Sequence, residues 1–152
     1  MTMQGEVVLP AEQERVWAAL NDPEVLKSCI PGCQNLEKVS DTEFRATAKV
    51  VVGPVKATFK GAVTLSDIDA PNSYTISGEG QGGVAGFAKG GAKVQLEDAG
   101  SGTRLVYDVQ AQVGGKIAQL GGRLIDGVAK RYADEFFRNF AQSLQPARSL
   151  SS

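Results

Sequence analysis

The sequence predicts an α+β fold in which one curved antiparallel sheet of about six or seven strands wraps around a long C-terminal helix. Apolar and polar residues alternate with a period of two over most of residues 43–113, which is typical of antiparallel strands with one wet face. The chain from Gly114 to Leu144 instead repeats with helical spacing. A helix of that length is the only predicted element able to cover the apolar face of the sheet.

The N-terminal part predicts one strand followed by two short helices. The strand covers Met3–Leu9, where apolar and polar residues alternate. Pro10 suits the first position of the first helix. Asp22 and Pro23 are predicted as the N-cap and first residue of the second helix, which ends at the "PG" of "CIPGC".

Five alternating segments then predict strands, separated by turn sequences such as "VGP", "DAPNS" and "DAGSG". In the segment "SYTISGEGQG", Tyr74 and Ile76 begin an apolar face that Gly78 and Gly80 continue. The other segments carry small residues at corresponding places of their apolar faces. These are Ala57, Gly61, Ala88, Gly90, Ala92 and Ala111, while Gly82 continues the face of Tyr74 in its own segment.

The predicted C-terminal helix presents one broad apolar arc, and its other side is charged. The arc consists of Ile117, Gly121, Leu124, Ile125, Val128, Tyr132, Phe136 and Phe140. The tail, residues 146–152, is polar and expected to be disordered, so the predicted domain covers residues 1–145.

The segment "GEGQGG" matches the spacing of a dinucleotide-binding loop, but its context does not. Such a loop ends a strand and begins a helix whose free N–H groups bind pyrophosphate. Here the glycines are followed by the strand-like segment "AKGGAKVQLE". A nucleotide site is therefore not expected.

Composition excludes several other classes. The 152 residues include no histidine and carry a net charge of −1, which removes the commonest general base and any electrostatic attraction for nucleic acid. The first residues lack the pattern of a signal peptide, which predicts a cytoplasmic protein. Cys29 and Cys33 are read as ordinary thiols because no other metal-ligand pattern accompanies them. No metal or cofactor is predicted.

Small residues facing each other between sheet and helix allow two interpretations. In the first, the helix packs closely on the sheet and the glycines let the strands bend. In the second, an apolar cavity remains between the two layers. We favour the cavity because Phe59, Tyr74, Tyr107 and Phe136 surround the small residues and are large enough to hold the layers apart.

The blocks "VVLPAEQERVWAALNDPEVLKSCIPGCQNLEKV" and "GGVAGFAKGGAKVQLE", with the glycine-bearing C-terminal helix, resemble the CoxG-like family of carbon monoxide dehydrogenase subunits over about residues 3–144. That family belongs to the START-like, polyketide cyclase (SRPBCC) superfamily. The resemblance implies a helix-grip fold with a hydrophobic cavity. It also implies a non-catalytic accessory role beside a molybdenum hydroxylase, with an apolar, quinone-like ligand delivered to the membrane electron chain.

The resemblance does not determine whether the protein contacts a membrane or forms a homodimer. Longer relatives carry an extension that ends in a membrane-attaching segment, whereas this chain stops at Ser152 after a polar tail, so anchoring is not expected although contact with the inner membrane face is allowed. A homodimer is also allowed. The alternatives to a carrier are an assembly subunit that binds only protein and, ranked last, a polyketide-type cyclase or dehydratase.

The predicted ligand site combines residues from the sheet, the second short helix and the C-terminal helix. Its members are Leu26, Ile30, Phe59, Tyr74, Gly78, Gly80, Phe87, Gly90, Tyr107, Ile117, Gly121, Leu124, Ile125 and Val128. No catalytic residue is predicted, because no carboxylate or lysine is expected on an inward face.

Overall fold

The computed structural model describes residues 1–145, which form one seven-stranded antiparallel sheet, three α-helices and two 3-10 helices. The strands are β1 (Thr2–Leu9), β2 (Cys33–Lys38), β3 (Glu43–Val52), β4 (Val55–Asp69), β5 (Ser73–Gln81), β6 (Phe87–Asp98) and β7 (Thr103–Gly114). The α-helices are α1 (Gln13–Leu20), α2 (Pro23–Cys29) and α3 (Gly122–Leu144), and the 3-10 helices are Gly83–Ala85 and Lys116–Leu120. The predicted tail, residues 146–152, lies outside the described residues.

The strands form a meander from β2 to β7, and β7 then pairs with β1, in the order β1-β7-β6-β5-β4-β3-β2. The register aligns the small residues across neighbouring strands. Gly78 stands opposite Gly90, and Gly80 stands opposite Gly61 and Ala88. Because side chains alternate between the faces of a sheet, these residues share one face, as the alternation predicted.

The two short helices follow β1 as predicted, but the first begins later than expected. Pro10 lies before α1, whose N-cap is Glu12 and whose first helical residue is Gln13. The prediction that Pro10 opens this helix is therefore wrong. For α2 the prediction is confirmed, since a carboxylate oxygen of Asp22 accepts a hydrogen bond from the Glu24 N–H at 3.0 Å and Pro23 is the first helical residue.

The edge strand β2 is one that the alternation did not single out. Its sequence "CQNLEK" contains few apolar residues, and Leu36 is its half-buried aliphatic residue. A register shift between Cys33 and Asn35 also interrupts its pairing with β3. A short polar edge strand gives a weak period-two signal.

The C-terminal helix α3 begins at Gly122, so the prediction of one helix from Gly114 is wrong at its start. The backbone takes φ values of +80° at Gly115 and +96° at Gly121, and the 3-10 helix Lys116–Leu120 lies between them. A right-handed helix cannot continue through such residues. Helical spacing of apolar residues does not reveal these breaks, because it records only where side chains point.

The closed core lies at the end of the sheet where β1 leads into α1. Leu9, Leu105, Phe140, Leu144 and Val16 are all fully buried there, which brings β1, β7, α1 and the C-terminal part of α3 together. Thr103 is buried in the same region, and its hydroxyl donates a hydrogen bond to the Ala11 carbonyl at 2.7 Å. The helices α1 and α3 therefore pack tightly against this end of the sheet.

Candidate functional site

The face of the sheet that α3 crosses, here called the concave face, divides into two halves. Near the β4–β5 and β6–β7 turns, its large residues are buried, among them Leu65, Tyr74, Val94 and Leu96. Near the β3–β4 and β5–β6 connections, many of its residues are small and incompletely buried. These are Ala57, Gly61, Gly78, Gly80, Ala88, Gly90, Ala92 and Ala111. We call the two parts the closed half and the open half.

The most extensive contacts of helix α3 are with α2, β1, α1 and β3, and Phe137 also stacks on Tyr107 of β7. Gly80 shows the consequence directly. A Cβ added there would have only two atoms within 4 Å, the Lys60 carbonyl oxygen and Phe59 Cδ2, each at 3.8 Å and both on β4. The helix does not press on this glycine, which contradicts close helix–sheet packing at this point.

The glycines do allow the strands to approach and bend. A Cβ at Gly61 would lie 2.7 Å from the Glu79 carbonyl oxygen, and one at Gly90 would lie 2.6 Å from Ala111 Cα. Both neighbours are backbone atoms of adjacent strands, so neither position accepts a larger residue without a backbone shift. The same glycines therefore let neighbouring strands approach and leave part of the concave face uncovered.

Aromatic rings mark the limits of the open half. The Phe59 ring lies over Gly82, where a Cβ would be 2.6–2.8 Å from ring atoms. Tyr107 stacks on Phe137 of α3, with ring centroids 5.2 Å apart and planes at 22°. Tyr74 makes an edge-to-face contact with Trp17 at 5.2 Å, and burial raises the pKa of its hydroxyl.

The predicted ligand residues are therefore only partly brought together. Phe59, Gly78, Gly80 and Gly90 lie in the open half. Ile117, Ile125 and Val128, on the segment that faces the sheet, are buried or half-buried. Tyr74, Tyr107 and Leu26 belong to, or pack against, the core of the closed half, whereas Ile30 caps the end of α2.

Three predicted residues have unexpected positions. Gly121 is exposed at the N-cap of α3, with no atom within 4 Å of an added Cβ, so its predicted place in a buried helical arc is wrong. Leu124 is 38% exposed and lies beside Gly53. By alternation Phe87 shares the face of Lys89, opposite to Ala88, and its ring lies over Gly114.

One residue that the predicted set missed ties the middle of α3 to β3. The Tyr132 hydroxyl of α3 accepts a hydrogen bond from the Val51 N–H of β3 at 3.1 Å. The helical arc had placed Tyr132 toward the sheet, but nothing in a sequence pattern distinguishes a tyrosine that bonds a strand from one that only fills space.

The open half offers apolar surface and no ionised group. The inward positions of the open half carry no carboxylate, lysine or arginine. Within residues 1–145 no three His, Cys, Asp or Glu side chains come together as metal ligands. Cys29 is buried and Cys33 half-buried, both as free thiols, and burial raises the pKa of Cys33. The arrangement suits a neutral, apolar molecule.

The opposite face of the sheet carries a shallow groove of about 970 Å³ over β4–β7. It is open to solvent, and its lining mixes apolar residues such as Ala62 and Ile76 with polar ones, namely Thr75, Glu79, Lys89, Lys93 and Gln110. An apolar ligand in this groove would lie beside the charged side chains of Glu79, Lys89 and Lys93, and burying such charges is costly. We therefore place the candidate site on the concave face.

No helix within the part of the chain that the structure describes is long and apolar enough to cross a membrane.

Comparisons with known proteins agree with this architecture. The model of the CoxG family, described as a subunit of carbon monoxide dehydrogenase, matches residues 5–145. A conserved protein from Geobacillus kaustophilus is 31% identical, with a TM-score of 0.88 and 95% of each chain covered. TTHA0849 from Thermus thermophilus is 18% identical, with a TM-score of 0.71 and coverage of 95% and 97%. No functionally curated protein matches the sequence.

The fold recurs at still lower identity. Ara h 8.0201 is 18% identical, with a TM-score of 0.64 over 95% of this chain and 97% of its own. At that identity the likeness concerns the fold alone. The predicted helix-grip architecture, a curved sheet with two early short helices and a long C-terminal helix, is confirmed.

Proposed function

Because the chain belongs to the CoxG family of carbon monoxide dehydrogenase subunits, we propose that it is a non-catalytic accessory protein that binds an apolar, quinone-like molecule for a molybdenum hydroxylase of the carbon monoxide dehydrogenase type. The family description supports the accessory role and its association with carbon monoxide dehydrogenase. The observation that carries ligand binding is the open half of the concave face, where α3 leaves small apolar residues uncovered.

The chemistry of this surface supports a neutral, flat ligand. An apolar ring system would bury itself against Ala57, Ala88, Gly78 and Gly80 without desolvating any charge. Phe59, at the limit of the open half, offers an aromatic face for stacking. A quinone-like molecule combines these properties, since its ring is flat and largely apolar.

An enzyme of the cyclase or dehydratase type is not supported by the same surface. General acid–base catalysis needs an acid and a base that converge on one substrate. The inward tyrosines lie in the closed half, where Tyr74 contacts Trp17 and Tyr107 stacks on Phe137. Neither is accompanied by an inward carboxylate or lysine.

Ligand binding can be tested with a fluorescent apolar probe and a competing quinone. Anilinonaphthalene sulfonate is titrated into the full-length protein and then displaced with decylbenzoquinone. We expect saturable probe binding and complete displacement, because both molecules would occupy one apolar surface. Native mass spectrometry of protein from its own host should show a retained small molecule. A protein-only assembly subunit predicts neither result.

A further inference from the structure

The two edge strands of the sheet, β1 and β2, differ in their protection against pairing with another chain. β2 is short, carries Glu37 and Lys38, and has a register shift between Cys33 and Asn35. β1 pairs with β7 from Thr2 to Leu9 without a shift and contains a single charged residue, Glu6. Charges and bulges are features that keep an edge strand from adding a further strand. The β1 edge is therefore the one that is open to strand addition.

The hydrogen-bond pattern shows which backbone groups of β1 face this open edge. The terminal ammonium of Met1 donates to the Ala111 carbonyl at 2.8 Å, and the Ala111 N–H donates to the Met1 carbonyl at 2.9 Å. Antiparallel strands alternate between pairs that exchange such bonds and pairs that do not. The odd-numbered residues of β1 therefore bond β7, and the even-numbered residues direct their N–H and C=O groups away from it. These residues are Thr2, Gln4, Glu6 and Val8, and no other backbone partner for them is found within residues 1–145.

The same edge is accessible to another chain. Its four residues are exposed, and Val8 is 60% exposed although it is aliphatic. The most extensive contacts of β1 are with β7 and α3, so neither short helix covers the edge. The charge of Glu6 is offset within the chain, because the Arg104 Nε lies 3.4 Å from one of its carboxylate oxygens. The edge thus offers free backbone groups without an uncompensated charge.

We propose that β1 pairs antiparallel with β1 of a second copy of this chain, about a twofold axis at Gly5, so that the two sheets join into one. In this register Glu6 faces Gln4 of the second copy, and Val8 faces its Thr2. Each such pair would exchange two backbone hydrogen bonds, because both residues direct their free groups toward the shared edge. Strand addition of this kind obtains its affinity from main-chain hydrogen bonds.

The side chains select this register and a second copy as the partner. A twofold axis at Glu6 would place two carboxylates directly opposite each other, which destabilises a strand pair. An axis at Gln4 would place Val8 past the end of the partner strand. The axis at Gly5 pairs all four edge residues, sets Glu6 against a neutral amide and sets Val8 against another β-branched side chain. The edge is thus complementary to itself, as an isologous interface requires.

This association goes beyond the proposed function and does not depend on it. The small residues of the open half lie on β4–β7, whereas the pairing uses the outer edge of β1. A contact between two edge strands is smaller than a standard protein interface, so we expect a reversible dimer with a dissociation constant in the micromolar range.

The dimer can be detected by sedimentation velocity of the full-length protein across micromolar concentrations, and its register by amide hydrogen exchange. We expect the average mass to rise from monomer to dimer with concentration. The N–H groups of Gln4 and Glu6 should exchange rapidly in the monomer and slowly in the dimer. Those of Gly5 and Val7 should exchange slowly in both states, because they bond β7.

A charge reversal tests the predicted neighbours. Gln4→Glu should weaken the dimer by about tenfold, because each new carboxylate would face Glu6 of the other copy and the contact occurs twice. Adding Glu6→Lys to this variant should restore the dimer, because the new lysine would then face the new glutamate. Only the register about Gly5 brings these two positions opposite each other.

The matched control is Gln95→Glu, which makes the same change at an exposed position of β6, away from both edges of the sheet. It should leave the dissociation constant unchanged. Circular dichroism and thermal melting confirm that each variant is folded.

A protein that remains monomeric at every concentration would overturn the proposal, as would a dimer in which the Gln4 and Glu6 N–H groups still exchange rapidly. It would also be overturned if Gln4→Glu has no more effect than Gln95→Glu, or if adding Glu6→Lys does not restore the dimer. Protection of these N–H groups only after a different protein is added would show that a foreign strand, and not a second copy, occupies the edge.

Discussion

Gly80 is the residue at which the open half can be tested most directly. A Cβ there meets only ordinary contacts at 3.8 Å, whereas Gly61 and Gly90 face neighbouring backbone atoms at 2.7 Å or less. A larger side chain at Gly80 is therefore expected to extend into the uncovered space and not into the sheet.

We predict that Gly80→Leu abolishes binding of the apolar probe without unfolding the protein. The leucine side chain would occupy the ligand surface, so affinity should fall by about tenfold or more, equivalent to about 1.4 kcal/mol. Stability should stay within about 1 kcal/mol of the wild type, since glycine is a poor strand residue. Probe titration and thermal denaturation measure the two effects.

The matched control is Gly127→Leu, on an exposed position of α3 with no atom within 4 Å of an added Cβ. It makes the same chemical change outside the concave face and should leave probe affinity unchanged. If Gly80→Leu instead melts far below the wild type, helix and sheet must approach more closely than the structure shows.

The buried hydroxyl of Tyr74 predicts that the stability of the folded protein falls at alkaline pH. Burial raises the pKa of its hydroxyl in the folded protein above the value of about 10 that an unfolded chain has. Above that pH the unfolded chain loses this proton while the folded protein keeps it, so stability falls as pH rises. Below about pH 10 the contribution is fully present.

Denaturant unfolding of wild type and Tyr74→Phe should reveal this effect between about pH 8 and about pH 11. The wild type should lose stability more steeply than Tyr74→Phe above about pH 10, since all other titrating groups are common to both. Parallel curves for the two proteins over this range would contradict the prediction.

At the scale of elements, α3 is held differently along its length. Its C-terminal part is buried, with Phe140 and Leu144 in the core. Its middle is tied to β3 by the bond between the Val51 N–H and the Tyr132 hydroxyl. Its first turn is mostly exposed, as Arg123 and Leu124 show. The helix is therefore firmly packed over the closed half and lightly attached at its first turn.

We predict that Tyr132→Phe destabilises the protein by about 1 kcal/mol, because the Val51 N–H loses its partner while the aromatic ring is retained. Chemical denaturation measures the change. Hydrogen exchange should show faster exchange of that N–H with little change at Leu105 in the core. Unchanged stability and exchange would mean that the bond does not hold the helix in solution.

At the scale of the whole molecule, one chain builds a rigid end and an accessible end. Large apolar residues fill the closed half, and glycine and alanine leave the open half uncovered. The β2–β3, β4–β5 and β6–β7 turns concentrate carboxylates and the connections at the other end of the sheet concentrate cations, although the net charge of the chain is only −1. The proposed ligand site depends on the open half remaining accessible.

Much of this could be predicted from local patterns. Alternation identified β3–β7 and the face that carries Tyr74, Gly78 and Gly80, because side-chain direction in a strand follows directly from position. It missed β2, a short polar edge strand, and the helical spacing extended α3 through Gly121. Helical periodicity could not detect the positive φ values there, since these depend on how the connecting segment folds back.

The sequence by itself determined the element types, their order, the inward strand faces and the absence of inward charge, since all of these follow from local residue pattern. Only the tertiary structure decided whether the small residues were covered. The path of α3 over α1, α2, β1 and β3, with Tyr132 bonded to Val51, leaves Gly80 free of helix contacts. The tertiary structure also places the cations of three separate connections at one end of the sheet. This follows because antiparallel pairing returns every second connection to the same end of the strands.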